Sequence, residues 1–518
     1  MRDFADEHCL HGADGPRAVV IGAGLGGLAA AMRLGAAGWR VTVLDRLDAP
    51  GGRGSALHRE GHRFDLGPTI VTAPSVFRRL WAACGRDFDA EVDLRALDPF
   101  YTITWPDGSR LAARRDEGDM AREVERLAPG DLAGWRRFLR DSEARYRVGY
   151  EGMLTRPMHR LWSTLREVPR FAWLRADRSI LAHAKRRVRD PRLRMALSFH
   201  PLFIGGDPMR VTSIYALVSH LEAREGVHYA MGGVGAVARA MVRAVEERGG
   251  AVRQGAEVDR VLLDGRGRAS GVRLRGGETV GADIVVSNAD AGHTYDRLLP
   301  PEHRRRRWTA RRLRRTRLSM GLFVWYFGTR GTRGLWPEAG HHTILAGPRY
   351  EGLLRDVFRR GVLADDMSLY VHRPSVTDPS VAPPGDDTFY ALSPVPHLGH
   401  PDPVDWGAMA ERYRRRVEAV LEARLLPGLR DRVTASEVFT PEDFRDRYLS
   451  PHGAGFSVEP RLLQSAWFRP HNVSEEVPGL FLVGAGTHPG AGLPGVVASA
   501  EVLMKVVPPV DAFAGAAR

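Results

Sequence analysis

Three glycines and one carboxylate carry the first chemical signal in this chain. Gly22, Gly24 and Gly27 stand at G-x-G-x-x-G spacing within VVIGAGLGGLAAAMRLGAAGWRVTVLD (19–45), and Asp45 closes that stretch. Glycines so placed permit a tight turn, close approach of backbone to a pyrophosphate, and tight helix–strand packing. An acid about twenty residues further on accepts hydrogen bonds from a ribose. The elements needed to position them are all readable. The β-branched run Val19-Val20-Ile21 predicts a buried strand, an Ala/Leu-rich helix runs from about Leu25 to Ala37, Gly38 ends it, and Val41 to Leu44 returns as a second strand. The helix N-terminus offers free N–H groups and partial positive charge to phosphates. The pattern predicts a dinucleotide site.

A second glycine-dense loop lies at the other end of the chain. Leu480-Phe481-Leu482-Val483 reads as a strand running into GAGTHPGAGLPG (484–495), with a helix from about Val496 to Lys505. A helix N-terminus near Gly495 would aim its dipole at the electron-rich pyrimidine end of a flavin, which is anionic when reduced. His488 lies in that loop, where it could touch the ring or accept a proton. The Gly233/Gly235 run superficially imitates a second nucleotide loop. Only the short, mixed stretch 226–230 precedes it, so no second, nicotinamide-binding unit is expected.

Composition bounds the rest. The 518 residues are 43% hydrophobic and 26% charged, which suits a globular protein of two or three lobes. Two cysteines, Cys9 and Cys84, exclude a disulfide framework and a cysteine metal site. No secretory signal is readable, and no stretch approaches the roughly eighteen apolar residues that a membrane span requires. The net charge is +13, nearly all of the basic residues being Arg, and RRRRWTARRLRRTR (304–317) concentrates it. A solvated helix face and an anionic membrane surface are both compatible with that run. Nucleic acid is not expected, because motifs and stacking platforms are missing. From Tyr150 to Ile180, Trp, Leu and Met interleave with Arg, as in a packed helix or one dipping into a lipid interface. Between about 318 and 400, apolar runs such as 322–327 and 367–371 predict an antiparallel sheet.

The motifs FDLGPT (64–69), SFHPLFIGGDP (198–208), SLYVHRPSVTDPSVAPPG (368–385) and VGAGTHPGAGLPGVVASA (483–500), added to the first unit, resemble bacterial-type phytoene desaturases. These are carotenoid desaturases within the FAD-dependent amine-oxidase-like flavoproteins. The resemblance covers about residues 17–505. It implies an α/β fold: a Rossmann-like FAD-binding domain assembled from N-terminal, middle and C-terminal segments, an α+β substrate domain, and a helical membrane-facing region. The implied division is a disordered leader (1–16), FAD-binding parts at 17–110, 228–300 and 441–507, the helical region at 111–227, the substrate domain at 301–440, and a tail at 508–518.

Carried over residue by residue, the resemblance gives the FAD pyrophosphate to Gly22, Gly24 and Gly27 and the adenosine ribose to Asp45. Gly52 and Arg53 would flank the phosphates and ribityl chain, Gly67, Pro68 and Thr69 the flavin ring, and Val258 the adenine edge. Gly484, Gly486, Gly492, Pro494 and Gly495 would wrap the ribityl and pyrimidine end. His200 and Asp207 would line the substrate channel. The implied reaction introduces several double bonds into 15-cis-phytoene, giving neurosporene or lycopene, with quinone or oxygen as electron acceptor. The implied setting is cytoplasmic and peripheral on the inner membrane, in contact with its lipid surface. Hydride loss beside an alkene leaves an allylic cation, so positioning in an apolar tunnel matters more than a strong base. The alternatives are a methoxyneurosporene-type desaturase, an isomerase or ketolase, or a non-catalytic prenyl carrier of GDP-dissociation-inhibitor type.

Overall fold

The structure, a computed structural model, describes residues 15–304 and 306–513. The expected leader lies outside the described residues except for its last two positions, and Cys9 lies outside them as well. A parallel five-stranded sheet forms the first layer, in the order Leu480–Leu482, Ile284–Ser287, Arg17–Ile21, Arg40–Leu44, Ala251–Arg253. Two strands come from the N-terminal segment, two from the middle and one from the C-terminal end, so the Rossmann-like layer is assembled from three parts of the chain. The strand Arg17–Ile21 is central and buried from Ala18 onward, which explains its unbroken apolar run.

The first helix, Leu25–Ala36, packs on the last helix, Leu493–Met504, and on Gly233–Glu246. Its alanines let the backbones approach closely, and Ala29, Ala30 and Ala31 are buried. The last helix begins at Leu493, three residues before the expected start near Val496. Gly492 at φ 93° redirects the chain, and Pro494 is pre-set for a first helical turn. The strand before Gly233, His228–Ala230, pairs with Leu94–Ala96 rather than with the parallel sheet, so the third glycine run builds no second nucleotide unit.

The second layer is a seven-stranded mixed sheet, ordered Val433–Phe439, Gly321–Thr329, Asp387–Val395, Leu369–His372, His342–Leu345, Tyr101–Thr104, Arg110–Ala113. Its last two strands are a hairpin that the sequence division, cutting at 110, splits from the substrate domain; edge pairing of Tyr101–Thr104 with His342–Leu345 holds it here. Every residue of Gly321–Thr329 is buried, because both faces are covered. Phe323, Trp325 and Phe327 point to the helix Trp406–Arg424, while Leu322, Val324 and Tyr326 line a cavity on the other side. The two-residue period of a strand makes this division.

Two basic segments differ from the simplest expectation. The stretch 150–180 is broken into short helices, including Leu161–Leu165 and Val168–Trp173, consistent with Gly152, Pro157 and Pro169 interrupting it. Among the described residues of the run 304–317, Ala310–Arg315 is helical. There, Arg307 lies 4.1 Å from the Trp467 ring centroid and Arg312 lies 4.5 Å from that of Trp308. The backbone N–H of Trp308 donates to Glu476 at 2.6 Å. Much of this charge therefore clamps one segment to another. The described part of the tail also packs back, with Phe513 5.1 Å from Trp39.

At one end of the seven-stranded sheet, Arg373 donates to Asp387 at 2.8 Å, both fully enclosed, and Ser375 and Thr332 donate to the same carboxylate at 2.6 and 2.8 Å. Removing one member of such a pair strands a buried charge. Asp387→Ala is expected to lower unfolding stability by about 3–5 kcal/mol, read from urea unfolding of the flavin-loaded protein. A loss below about 1 kcal/mol would place the pair with exposed ones.

Candidate functional site

A cavity of about 1010 Å³ runs between the two sheets. Of the residues singled out in the sequence, Gly22, Gly24, Asp45, Gly52, Arg53, Gly67, Pro68, Thr69 and Val258 line it, together with Gly486, His488, Gly492, Pro494, Gly495 and His200. Gly27, Gly484 and Asp207 do not. Both ends of the chain thus meet around one space.

At the first glycine loop the Asp45 carboxylate accepts the Ala23 N–H at 2.6 Å and the Leu47 N–H at 2.8 Å. Burial raises its pKa, and these two N–H groups oppose the rise. Gly27 serves packing: a Cβ there would collide with the Gly22 carbonyl oxygen. The residue that sequence reasoning missed is Asn288. It follows the strand Ile284–Ser287 and donates weakly to the Gly22 carbonyl at 3.4 Å. A Cβ on Gly24 would lie 2.7 Å from its Nδ2, one on Gly26 2.6 Å from its Oδ1, and one on Gly484 would collide with the same oxygen. The Asn288 amide is wedged among glycines from both ends of the chain. Gly484 makes room for it instead of facing the cavity. Its place directly after a buried apolar strand was the available signal.

The far end of the cradle is pinned by tyrosines that the sequence did not announce. Tyr326 donates to the Leu66 carbonyl at 3.3 Å and Tyr390 to the Gly67 carbonyl at 3.2 Å. The Tyr370 hydroxyl lies 2.7 Å from Thr69 Oγ1 and 2.7 Å from His342 Nδ1. These partners lie some 260 to 323 residues away in sequence, which hides them from local reading. Arg53 bonds Ser450, yet its Nε is buried without a partner, as is Asp290 Oδ2 across the same cavity. Burial lowers the Arg53 pKa and the Asp290 charge opposes this. Such orphaned donors and acceptors suit a ligand with phosphates and hydroxyls.

His488 is fixed by a 3.2 Å bond from its Nε2 to the Met153 carbonyl, which can only accept. Burial pulls its pKa down to about 4, so the ring is neutral near neutral pH. Nδ1 is therefore unprotonated, and it is buried without a partner.

The family described as "Flavin containing amine oxidoreductase" matches residues 25–501. The neurosporene-forming phytoene desaturase of Cereibacter sphaeroides is 64% identical over 495 residues, covering 96% of this chain and 95% of that one. The lycopene-forming phytoene desaturase of a Paracoccus species is 44% identical over 490 residues, covering 95% and 97%. A crystal structure of an oxidoreductase from Methanosarcina mazei shares the fold, with a TM-score of 0.64 at 19% identity, covering 94% and 100%. This chain belongs to the phytoene desaturases. It is an FAD-dependent oxidoreductase acting on CH–CH groups, which closes the non-catalytic reading.

The cradle fits FAD: the glycine loops, Asp45, Asn288, Arg53 and Asp290 supply the space and polar partners that the group needs. Beyond it the desaturase cavity turns apolar, with Phe199, Leu202, Phe203, Leu322, Val324 and Phe358 on its walls. Val168, Leu462 and Leu463 both line it and are exposed, so it opens there. His200 stands on this wall, its Nε2 3.1 Å from the Tyr101 hydroxyl and 3.2 Å from Glu222 Oε2. Asp207, expected beside it, is fully buried away from the cavity and accepts the Met209 N–H at 2.8 Å. Gly205, at φ 79°, turns the chain away between the two residues.

If Asn288 joins the two loops, Asn288→Leu keeps the volume but loses the amide. FAD affinity is expected to fall roughly tenfold, the equivalent of about 1.4 kcal/mol, measured as flavin retained per polypeptide on dilution. Unchanged retention would remove Asn288 from the site.

Proposed function

We propose that this enzyme converts 15-cis-phytoene to neurosporene, drawing it from a lipid bilayer. The observation that carries this reading is one continuous cavity, polar at the FAD cradle and apolar to its mouth. Relatives add weight: the neurosporene-forming protein is 64% identical and the lycopene-forming one 44%. FAD, when bound, supplies a two-electron acceptor for hydride. The chain's own residues do the remaining work. The glycine loops and Asp45 hold the adenosine half, and Gly67, Pro68 and Thr69 set the ring end. The apolar wall lays a polyene along the cavity and keeps water out, so an allylic cation survives until its neighbouring proton leaves. His488 offers one unprotonated nitrogen beside the cofactor loop, and His200 borders the substrate. Quinone or oxygen would then take the electrons.

A bilayer source accounts for the surface around the mouth. Trp162, Trp173 and Leu463 are 68%, 75% and 70% exposed, beside exposed Leu161, Leu165 and Val168. Such a cluster is costly in water unless covered. Exposed Arg160, Arg166, Arg170 and Arg175 share the segment. Near anionic lipid each basic residue contributes about 1 kcal/mol. Among the described residues no helix is long and apolar enough to cross a membrane. A peripheral position on the cytoplasmic face of the inner membrane follows from this reading.

Incubated with phytoene in anionic liposomes under a quinone, the FAD-loaded protein is expected to give neurosporene by chromatography. Unchanged phytoene would defeat the substrate assignment, and lycopene as end product would move the enzyme to the other product class. The double variant Trp162→Ser/Trp173→Ser should keep its flavin but sediment with liposomes at least about tenfold less, at roughly 1.5 kcal/mol or more for burying a large apolar side chain. Equal sedimentation would place the docking face elsewhere.

A further inference from the structure

Each desaturation releases a proton into a cavity whose wall beside Tyr370 is apolar, with Leu322, Val324, Leu353 and Val357 nearby. Thr69 and Tyr370 interrupt that wall with hydroxyls, and a row of polar side chains stands behind them. The Tyr370 hydroxyl lies 2.7 Å from His342 Nδ1. His342 faces His372 across adjacent antiparallel strands, with ring centroids 5.1 Å apart and planes at 20°. His372 Nε2 lies 3.2 Å from His341 Nε2, and His341 Nδ1 lies 2.6 Å from Thr377 Oγ1. Thr377 is half-buried, next to exposed Val376.

We propose that Tyr370, His342, His372, His341 and Thr377 form a proton exit path from the substrate cavity to the protein surface. This rests on the desaturase reading above. One joint is not a direct hydrogen bond. His342 Nε2 is buried without a partner, and a nitrogen from each of the three rings lies within 4.8 Å of the others. A ring rotation or one water closes that gap.

The tautomers are mutually consistent. With Tyr370 donating to Nδ1, His342 carries its proton on Nε2. His372 donates from Nε2 to His341 Nε2, and His341 donates from Nδ1 to Thr377. Burial lowers the pKa of all three, His341 to about 3, so each ring is neutral, with one N–H and one lone pair. Neutral rings of low basicity pass a proton on instead of holding it.

The step balances. One substrate C–H bond breaks with its electron pair leaving as hydride to the flavin. The adjacent C–H bond breaks, its electron pair forming the new C=C bond, and its proton goes to the Tyr370 oxygen as the hydroxyl proton moves to His342 Nδ1. The proton then leaves through the imidazoles to Thr377 and water.

The test uses FAD-loaded protein with phytoene in liposomes, in H2O and D2O. His342→Gln is expected to slow turnover at least about tenfold, within the usual range for proton-transfer groups, with flavin content and KM unchanged. Thr377→Val, outside the cavity, should lower kcat and alter the solvent isotope effect, while Thr377→Ser restores both. Should His342→Gln fail to fold, the Thr377 pair decides. Wild-type rates and isotope effects in Thr377→Val would overturn the path. So would a stoichiometric divalent metal in the purified holoprotein, since the same nitrogens would then be ligands. Wild-type protein that leaves phytoene unchanged sinks the desaturase reading and the path with it; an active wild type beside normal variants sinks the path alone.

Discussion

The structure depends on bringing two glycine loops, more than 450 residues apart in sequence, within reach of one side-chain amide. Asn288 occupies the space that side chains at Gly24, Gly26 or Gly484 would fill. The close approach is possible only because those positions carry no Cβ, and it fixes how the last helix sits against the first. Parallel pairing of Ile284–Ser287 with both Arg17–Ile21 and Leu480–Leu482 delivers Asn288 to that point. One strand from the middle of the chain therefore sets the distance between the two glycine loops. A cradle built from a single contiguous segment would not need such a wedge.

The second constraint is that a strand has two faces. Gly321–Thr329 divides its side chains between a packed helix and the cavity, so the cavity wall is backed by a packed core. The aromatic packing on the other face, with Phe323 4.9 Å from Tyr413 and Phe327 5.1 Å from Phe389, holds the cavity-facing alternates in register. A tunnel that relies on position more than on acid–base strength needs this stiffness.

What the sequence made legible was local. The glycine motif, Asp45 and the closing loop each carry their signal within a few residues, because turns and helix starts are short-range events. The pinning tyrosines were not legible, since Tyr326, Tyr370 and Tyr390 reach the 66–69 loop only after the mixed sheet has formed. Asp207 shows the opposite failure. Its closeness to His200 in sequence suggested a shared wall, but Gly205 turns the backbone and sends the carboxylate into the protein. The helix start at Leu493 was obscured by the prolines and glycines that make it possible.

Charge illustrates why composition alone misleads. A net charge of +13 and the run 304–317 invite an electrostatic account of membrane attachment. Yet Arg304 pairs with Asp296 at 2.7 Å, and Arg307 and Arg312 lie over Trp467 and Trp308. A guanidinium paired with a carboxylate contributes less field at the surface, and those stacked on rings are held against the protein. Apolar surface and cavity coincide instead at the mouth. Val168, Leu462 and Leu463 belong to both the exposed face and the cavity wall. A substrate that cannot cross water would need that coincidence, because under the proposed function the exposed residues at the mouth would also form the first stretch of its path inward.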